Sequence, residues 1–316
     1  MSRRRKKESK KIIYGVLVAL LLILGLIFGN NERVSSIVSS MNILQNEENS
    51  TIQNTNENET IEAEPVNVDS NLIVDFIDVG QADSILIQNK DEVMLIDAGT
   101  NEAGEIVVDY LKNKGISQID YLIGTHPHED HIGGMDDVIE AFDIKQIYMP
   151  KMETTTKTFK DVLTAISNKN LKITQPNKGT QIELGEAKCE FMTEPIIDKD
   201  NINLSSLVIR LEFGNNSFLF MGDAEKENEE TITWPKTDVL KVGHHGSNTS
   251  SSQEFIEQVQ PKYSVIMVEE DNSYNLPKQE TIDKLEEAGS KIYRTDENGT
   301  IEITSDGNEI KVSTEK

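Results

Sequence analysis

The sequence has little cysteine, few aromatic residues and a shortage of positive charge. Its 316 residues include one cysteine, one tryptophan and 5% aromatic residues, and 55 Asp and Glu outnumber 31 Lys and Arg, for a formal net charge of −24. The lone Cys189 excludes an internal disulfide. The excess of negative charge repels polyanions at long range and excludes a broad basic surface for nucleic acid.

Much of the positive charge that is present lies at the start of the chain. Residues 1–11 carry seven Lys or Arg and one Glu, so the remainder has a charge of about −30. The uncharged run 12–29 follows, and as a helix it would be about 27 Å long, close to the roughly 30 Å of a bilayer's hydrocarbon core. We therefore predict a basic cytoplasmic tail and an uncleaved membrane anchor. A cleaved signal peptide is the alternative, but its apolar region is usually shorter.

The basic tail also predicts the orientation of the chain. Positive residues stay on the cytoplasmic side of a membrane, which would place everything after the anchor outside the cell. Residues 30–70 are rich in Asn, Glu, Ser and Thr and are predicted to be a flexible tether. About 246 residues, 71–316, then remain for one folded domain, enough to bury 70–75% of the unfolded surface. The expected protein is single-pass, with an extracellular domain.

From Leu72 onward, apolar runs alternate with Gly and Asn turns. Strands are predicted at 72–78, 84–88, 93–97, 121–124, 147–149, 189–193, 206–213, 217–221, 239–242, 263–268, 292–294, 301–304 and 309–312. Helices are predicted at 106–114, 136–142, 158–168, 253–259 and from Pro277 to Gly289. Strands with interspersed helices, in two similar halves, predict an α+β fold of packed sheets with helices outside.

Three polar clusters follow apolar strands, and they contain all five histidines of the chain. They are the loop 125–134 with His126, His128, Asp130 and His131, the segment 222–225 with Asp223, and the pair His244-His245. Imidazole and carboxylate together suit Zn²⁺ or a similar divalent ion, and two groups of ligands suggest two ions. An accidental cluster of solvated histidines is the alternative. A lone Asp223 would more often be a turn residue or a helix cap, but here it could bridge two cations.

These motifs resemble the metallo-β-lactamase superfamily. The resemblance rests on the His-x-His-x-Asp-His loop, the glycines at 133 and 134, Gly222-Asp223 and His244. More narrowly, residues 78–84, 95–99 and 240–247 resemble the hydrolase domain of ComEC-type DNA-uptake competence proteins. The resemblance covers about residues 72–312 and implies a four-layer αββα sandwich with metal ions at one edge of the two sheets.

The resemblance implies a role for each candidate residue. His126 and His128 would hold a first ion, Asp130, His131 and His244 a second, and Asp223 would lie between them. The ions would be zinc, with manganese as the alternative. Asp130 is also expected to be catalytic together with His245, a substrate contact or proton donor. The sequence leaves open which histidine of the adjacent pair faces the metal. Residues expected to support the ligands or contact substrate are Asp78, Asp83, Asp97, Asn203, Ser206 and Ser247; for Asp97, capping a strand end is the alternative.

The sequence departs from the family pattern at three places. No further histidine lies between the opening loop and Asp223, and the stretch 201–206 occupies its place, so the first site is expected to be weaker or completed by water or substrate. Leu276 stands where relatives often carry a histidine before proline. The competence proteins also contain a membrane channel, whereas this sequence has a single apolar run, so DNA transport by this chain alone is not expected.

The leading interpretation is an outward-facing hydrolase that uses a metal-activated hydroxide on a phosphodiester. The resemblance favours a nuclease, whereas the negative charge favours small or envelope-derived phosphodiesters. Hydrolysis of another ester or thioester is an alternative, with a β-lactam disfavoured, and a non-catalytic tethered binding domain with a residual metal site is another. The expected partners are the substrate and, through the anchor, the membrane; no protein partner can be inferred.

Overall fold

The computed structural model describes residues 71–316. The predicted cytoplasmic tail, anchor and tether lie outside the described residues. Within residues 71–316, none of the helices combines the length and the apolar character that crossing a bilayer requires.

One sheet is formed by the first part of the described chain and its last two strands. Its strands are β1 (Leu72–Phe76), β2 (Ile85–Asn89), β3 (Glu92–Ile96), β4 (Gln118–Ile123), β5 (Asp143–Tyr148), β6 (Ile173–Thr174), β14 (Ile301–Ser305) and β15 (Ile310–Thr314), in the order β15-β14-β1-β2-β3-β4-β5-β6. Pairing is antiparallel from β15 to β3 and parallel from β3 to β6. The change at β3 places the carboxyl ends of β3 and β4 side by side.

The second sheet is formed by the intervening strands. They are β7 (Gln181–Leu184), β8 (Ala187–Phe191), β9 (Ile209–Phe213), β10 (Asn216–Phe220), β11 (Val239–Lys241), β12 (Tyr263–Ile266) and β13 (Lys291–Arg294), in the order β13-β12-β11-β10-β9-β8-β7. Strands β7 to β10 are antiparallel and β10 to β13 are parallel. The predicted hairpin between β9 and β10 is present, with Gly214 at a φ of +59° that favours glycine. The carboxyl ends of β10 and β11 are again adjacent.

The helices lie in the connections between strands. They are α1 (Gly104–Asn113), α2 (Glu129–Ile132), α3 (Met135–Ala141), α4 (Lys157–Asn168), α5 (Lys226–Glu229), α6 (Gln253–Val259), α7 (Gln279–Glu287) and α8 (Thr295–Asn298), with single 3₁₀ turns at Ile202–Ser205 and Gly243–Gly246. Three sequence predictions need correction. The helix predicted from Pro277 begins at Gln279. The strand predicted from Ser206 begins at Ile209, because a 3₁₀ turn precedes it. Strands β6 and β7 were not predicted, since they are only two and four residues long and half of those residues are polar.

Three buried clusters of apolar side chains separate four layers. The first joins the β1–β6 sheet to α1, α3 and α4, as in Leu95, Leu111 and Val162. The second lies between the two sheets, and the third joins the β7–β13 sheet to α6 and α7 through side chains such as Phe255 and Leu285. Two sheets flanked by helices are consistent with the predicted αββα sandwich.

Candidate metal centre

The histidine loop after β4 is fixed by a buried carboxylate at the end of β3. Thr125 donates its backbone N–H to Asp97 Oδ1 over 2.8 Å and its hydroxyl to Asp97 Oδ2 over 2.7 Å. His131 Nδ1 also lies 2.8 Å from Asp97 Oδ2. Asp97 is fully buried and has a φ of +60°, an uncommon conformation for a residue other than glycine. Asp97 therefore orients the histidine loop, in addition to ending its strand.

The hydrogen bonds of three buried histidines leave the same nitrogen free in each. Because a carboxylate and a carbonyl only accept, Nδ1 of His131 donates to Asp97 and Nδ1 of His245 donates to the Met267 carbonyl, 2.8 Å away. The Thr125 hydroxyl donates to Asp97, so at 3.2 Å it accepts from Nδ1 of His126. In the neutral form of all three rings Nε2 therefore carries the lone pair, as a metal-ligating imidazole requires.

Four side chains place one potential ligand atom each in a small volume. One atom each from Asp130, His131, Asp223 and His245 forms a group in which all atoms lie within 4.8 Å of one another. His131 Nε2 is 3.2 Å and His245 Nε2 is 3.6 Å from Asp223 Oδ1, and His245 Nε2 is 3.4 Å from Asp130 Oδ2. The two Nε2 atoms and Asp223 Oδ1 are buried without a hydrogen-bond partner. Two imidazoles and two carboxylates, three of whose atoms are buried without a hydrogen-bond partner, fit a divalent cation.

A second group of ligand atoms lies on the other side of Asp223. His126 Nε2 and His128 Nδ1 face each other at 2.9 Å, and His126 Nε2 is 3.9 Å from Asp223 Oδ2. With Nε2 of His126 unprotonated, the two ring nitrogens need a proton or a cation between them. The two oxygens of Asp223 thus face different sets of histidines, the arrangement that a bridging carboxylate requires.

The structure places the two histidines of the pair His244-His245, between which the sequence did not decide, in different surroundings. His245, assigned to substrate contact or proton transfer, is buried and lies in the group with Asp130 and His131. His244, assigned to the second ion, has a side chain that is 26% exposed, and its Nδ1 lies 3.3 Å from Glu225 Oε1. Both residues have positive φ, +49° and +51°, so the backbone twists sharply and sends the two rings in different directions. His245 could therefore hold the second ion, whereas His244 Nε2 lies 3.7 Å from Asp223 Oδ2, the oxygen that faces His126.

Burial and neighbouring charge separate the pKa values of the site. Burial lowers the pKa of His126 and His128, which keeps both rings uncharged at neutral pH. Burial also opposes the charge on His131, but the carboxylates of Asp223, Asp130 and Asp97 hold the pKa of that ring well above its ordinary value. A cation entering the second group must therefore displace the proton of His131.

A buried ion pair lies next to the candidate metal centre. Lys241 on β11 is fully buried, and its Nζ lies 2.5 Å from Asp83 Oδ2. The other oxygen of Asp83 is 3.5 Å from His245 Nδ1. Lys241 was not among the sequence-predicted residues, although a lysine inside an apolar strand was the available signal. Asp83, predicted to support the ligands or contact substrate, lies 3.5 Å from His245 Nδ1 and 3.8 Å from His131 Nδ1.

The remaining predicted residues divide into those beside the site and one away from it. The hydroxyl of Ser206 accepts the backbone N–H of Asp223 over 3.2 Å. Asn203 Nδ2 is 3.4 Å from the His244 ring. Ser247 contacts Thr249, whose hydroxyl donates to Glu225. Asp78 instead lines a separate cavity with Tyr110 and Lys316 and is not brought to the metal centre.

The candidate metal centre opens into a cavity of about 510 Å³. Its walls combine residues of the two ligand groups with residues of neighbouring loops. They include Gln81, Thr100, His128, Glu129, Asp130, His244, His245, Tyr274 and Leu276. The cavity provides room for a ligand directly beside the carboxylates and imidazoles.

The chain is similar to known proteins in sequence and in fold. The family model described as "Metallo-beta-lactamase superfamily" matches residues 77–268. The chain is 32% identical over 251 residues to "ComE operon protein 3" of Bacillus subtilis, covering 72% of this chain and 32% of that protein. It is 28% identical over 237 residues to "Recombination protein 2" of Haemophilus influenzae, covering 73% and 28%. It is 26% identical over 234 residues to "Competence protein ComA" of Neisseria gonorrhoeae, covering 72% and 31%.

The chain spans about a third of the length of these curated relatives. Among solved structures, it is similar to the metallo-beta-lactamase fold protein YhfI from Bacillus subtilis, with a TM-score of 0.52 and 12% identity, over 74% of this chain and all of that one. This similarity supports the fold alone. The chain belongs to the metallo-beta-lactamase superfamily, and its described part is similar to the hydrolase domain of ComEC-type competence proteins.

Proposed function

We propose that the protein is a binuclear metal-dependent phosphodiesterase. The observation that carries this proposal is the placement of Asp223, whose two oxygens face two separate groups of ligand atoms. His126, His128 and Asp223 would hold one ion, and Asp130, His131, Asp223 and His245 the other. When bound, two such ions supply Lewis acidity and a nucleophilic water at neutral pH and offset charge on a transferring phosphoryl group. Zinc suits the imidazole-rich set, with manganese as the alternative.

His244 is proposed as the proton donor to the leaving group. Its Nδ1 lies 3.3 Å from Glu225 Oε1 and 3.1 Å from Thr249 Oγ1, which would hold a proton on Nδ1 and orient the ring. Its partly exposed ring lines the cavity beside the carboxylates. A histidine oriented by a carboxylate and facing a substrate cavity is suited to general acid catalysis. Glu225 would act through His244 as a positioning residue.

The test is metal content and turnover of the purified protein, with bis(p-nitrophenyl) phosphate, single-stranded DNA and double-stranded DNA as substrates and Zn²⁺ or Mn²⁺ added. Phosphodiester cleavage that a chelator abolishes is the expected result. Cleavage of carboxylic esters or thioesters alone would favour the alternative hydrolase. Metal binding without turnover would favour a binding domain.

The adjacent histidines provide a sharper test of the two roles. We expect His245→Ala to lose one bound ion, because it removes a ligand of the second group. We expect His244→Ala to keep both ions but to lose turnover by about 10²–10⁴-fold, the usual contribution of general acid catalysis. Metal content measured by mass spectrometry, alongside initial rates, separates the two. Loss of an ion in His244→Ala with full metal content in His245→Ala would reverse the assignment.

We also propose that residues 12–29 anchor the protein in the cell membrane with the catalytic domain outside. The proposal is supported by the length of the uncharged run and by the basic residues that precede it. Protease added to intact cells should then remove the domain, while a cytoplasmic marker protein survives. Complete protection of the domain in intact cells, with digestion after lysis, would contradict this orientation.

A further inference from the structure

A cavity separate from the candidate metal centre lies at one edge of the first sheet, where β6 is the outermost strand. Residues between 149 and 175 form its walls, and none of the candidate metal ligands lines it. Its volume is about 400 Å³, within the usual range of small-molecule sites. The cavity is therefore large enough for a ligand of its own.

The inner wall of this cavity is apolar. Met149, Met152 and Phe159 line it and are 2%, 3% and 6% exposed. Leu163 completes the wall and is 38% exposed, although its neighbour Val162 in the apolar stripe of α4 is fully buried. A large apolar side chain that remains exposed inside a concave wall is available to pack against a ligand.

The rim of the cavity is positively charged, which is uncommon in this chain. The exposed Lys151 and Lys160 line it, and among residues 71–316 neither of them forms an ion pair with a carboxylate. Lys160 Nζ donates to the Thr155 carbonyl over 2.9 Å, which leaves two of its N–H groups for a ligand. Residues 144–180 contain seven lysines and two acidic residues, whereas the whole chain has a net charge of −24. This local excess of positive charge favours an anion.

One carboxylate opposes the two lysines. Glu153 is exposed and also lines the cavity. The lining thus has two positive charges and one negative charge, so it suits a ligand with a single anionic group better than one with several.

Hydrogen bonds hold the walls in place without a ligand. The N–H of Met149 donates to the Thr174 carbonyl over 3.1 Å, which joins the end of β5 to β6. The Thr156 hydroxyl accepts the N–H of Phe159 over 3.2 Å and caps α4. Because the backbone around the cavity is already fixed, a ligand would bind with little loss of conformational entropy.

The apolar wall also borders the backbone that leads into the histidine loop. Met149 packs against Gly124, where a Cβ would lie 3.3 Å from Met149 Cγ. Gly124 directly precedes Thr125, the residue that Asp97 holds by two hydrogen bonds. A ligand in the cavity would therefore contact a side chain that packs beside the histidine loop, without touching a candidate metal ligand.

We propose that this cavity binds a small organic anion with an apolar body, such as an aryl carboxylate, at a site distinct from the candidate metal centre. The apolar body would pack against Leu163 and the buried methionines, and the anionic group would contact Lys151 and Lys160. The inference goes beyond the proposed phosphodiesterase function and does not depend on it.

The test is a ¹⁹F nuclear magnetic resonance titration of the full-length chain with a chelator present, so that no metal ion binds the probe. The probes are 4-(trifluoromethyl)benzoate and its neutral counterpart 4-(trifluoromethyl)benzamide. The wild type should bind the benzoate more tightly. The double variant Lys151→Gln, Lys160→Gln should raise Kd for the benzoate by about 2- to 30-fold, the scale of two exposed charge contacts, and leave Kd for the benzamide unchanged. Glu153→Gln should lower Kd for the benzoate alone.

Two further variants locate the bound probe. Leu163→Gln should weaken the binding of both probes, because it removes an apolar contact that they share. Lys236→Gln, in a separate cavity, is the matched control and should bind both probes as the wild type does. Equal Kd values for the two probes in the wild type, an unchanged Kd for the benzoate in the double lysine variant, or loss of benzoate binding in Asp223→Asn would overturn the proposal.

Discussion

Replacing Asp223 with asparagine is expected to lower phosphodiester turnover by at least about 10²–10³-fold, the loss that follows removal of one preorganised electrostatic group. Asp223 is 2% exposed, and its oxygens lie 3.2 Å from His131 Nε2 and 3.9 Å from His126 Nε2. Asparagine has nearly the same size, but its NH₂ group cannot donate a lone pair to a cation. The variant therefore removes the proposed bridge while leaving the packing around it.

The effect is measured as the initial rate on bis(p-nitrophenyl) phosphate at saturating metal. Far-ultraviolet circular dichroism and thermal unfolding of Asp223→Asn should match the wild type, which would show that the lost activity is chemical. Asp161→Asn on α4, which removes a surface ion pair with Lys157, is the matched control and should retain full activity. Full activity in Asp223→Asn would be incompatible with a bridging role for this carboxylate.

Replacing Lys241 with methionine is expected to lower the free energy of unfolding by about 3–5 kcal/mol, because it leaves the buried Asp83 carboxylate without its partner. The Lys241 side chain and Asp83 are 0% and 1% exposed, and their charged atoms are 2.5 Å apart. Methionine fills a similar volume, so little of the expected loss would come from a cavity. Urea unfolding followed by circular dichroism measures the change.

The double variant Lys241→Met, Asp83→Asn provides the control for this prediction. Removing both charges eliminates the unpaired carboxylate, so the double variant should recover much of the stability that the single variant loses. If Lys241→Met alone unfolds at the wild-type urea concentration, the pair does not stabilise the domain as described. If the double variant is no more stable than the single one, the loss comes from packing of the lysine side chain.

Much of the fold could be predicted because its strands and helices carry regular apolar patterns. Buried strands such as β1 and β3 have four apolar residues out of five, and α4 carries a clear apolar stripe. Strand β6 has two residues and β7 alternates over only four, so neither pattern rises above that of a loop. Their positions depend on pairing with β5 and β8, which is a long-range property.

In the candidate site, the residue types could be predicted from the sequence, but the orientation of the adjacent histidines could not. The residue types at His126, His128 and Asp223 were sufficient to predict that these side chains would meet. The orientation of the adjacent histidines was not predictable, since it depends on two consecutive left-handed backbone conformations and on the Met267 carbonyl 22 positions away. Glu225 and Lys241 were missed because their partners, His244 and Asp83, are distant in the sequence and no sequence pattern links them. Asp78 was included because it belongs to a motif, although it lies at a separate cavity.

The most direct test of the two-metal centre is the metal content of the purified protein, measured by inductively coupled plasma mass spectrometry for wild type and Asp223→Asn. The arrangement of the histidines around Asp223 predicts two bound divalent ions per wild-type chain after loading with Zn²⁺ or Mn²⁺, and fewer in Asp223→Asn. A wild-type chain that binds no divalent ion, or an Asp223→Asn chain that still binds two with unchanged affinity, would contradict it.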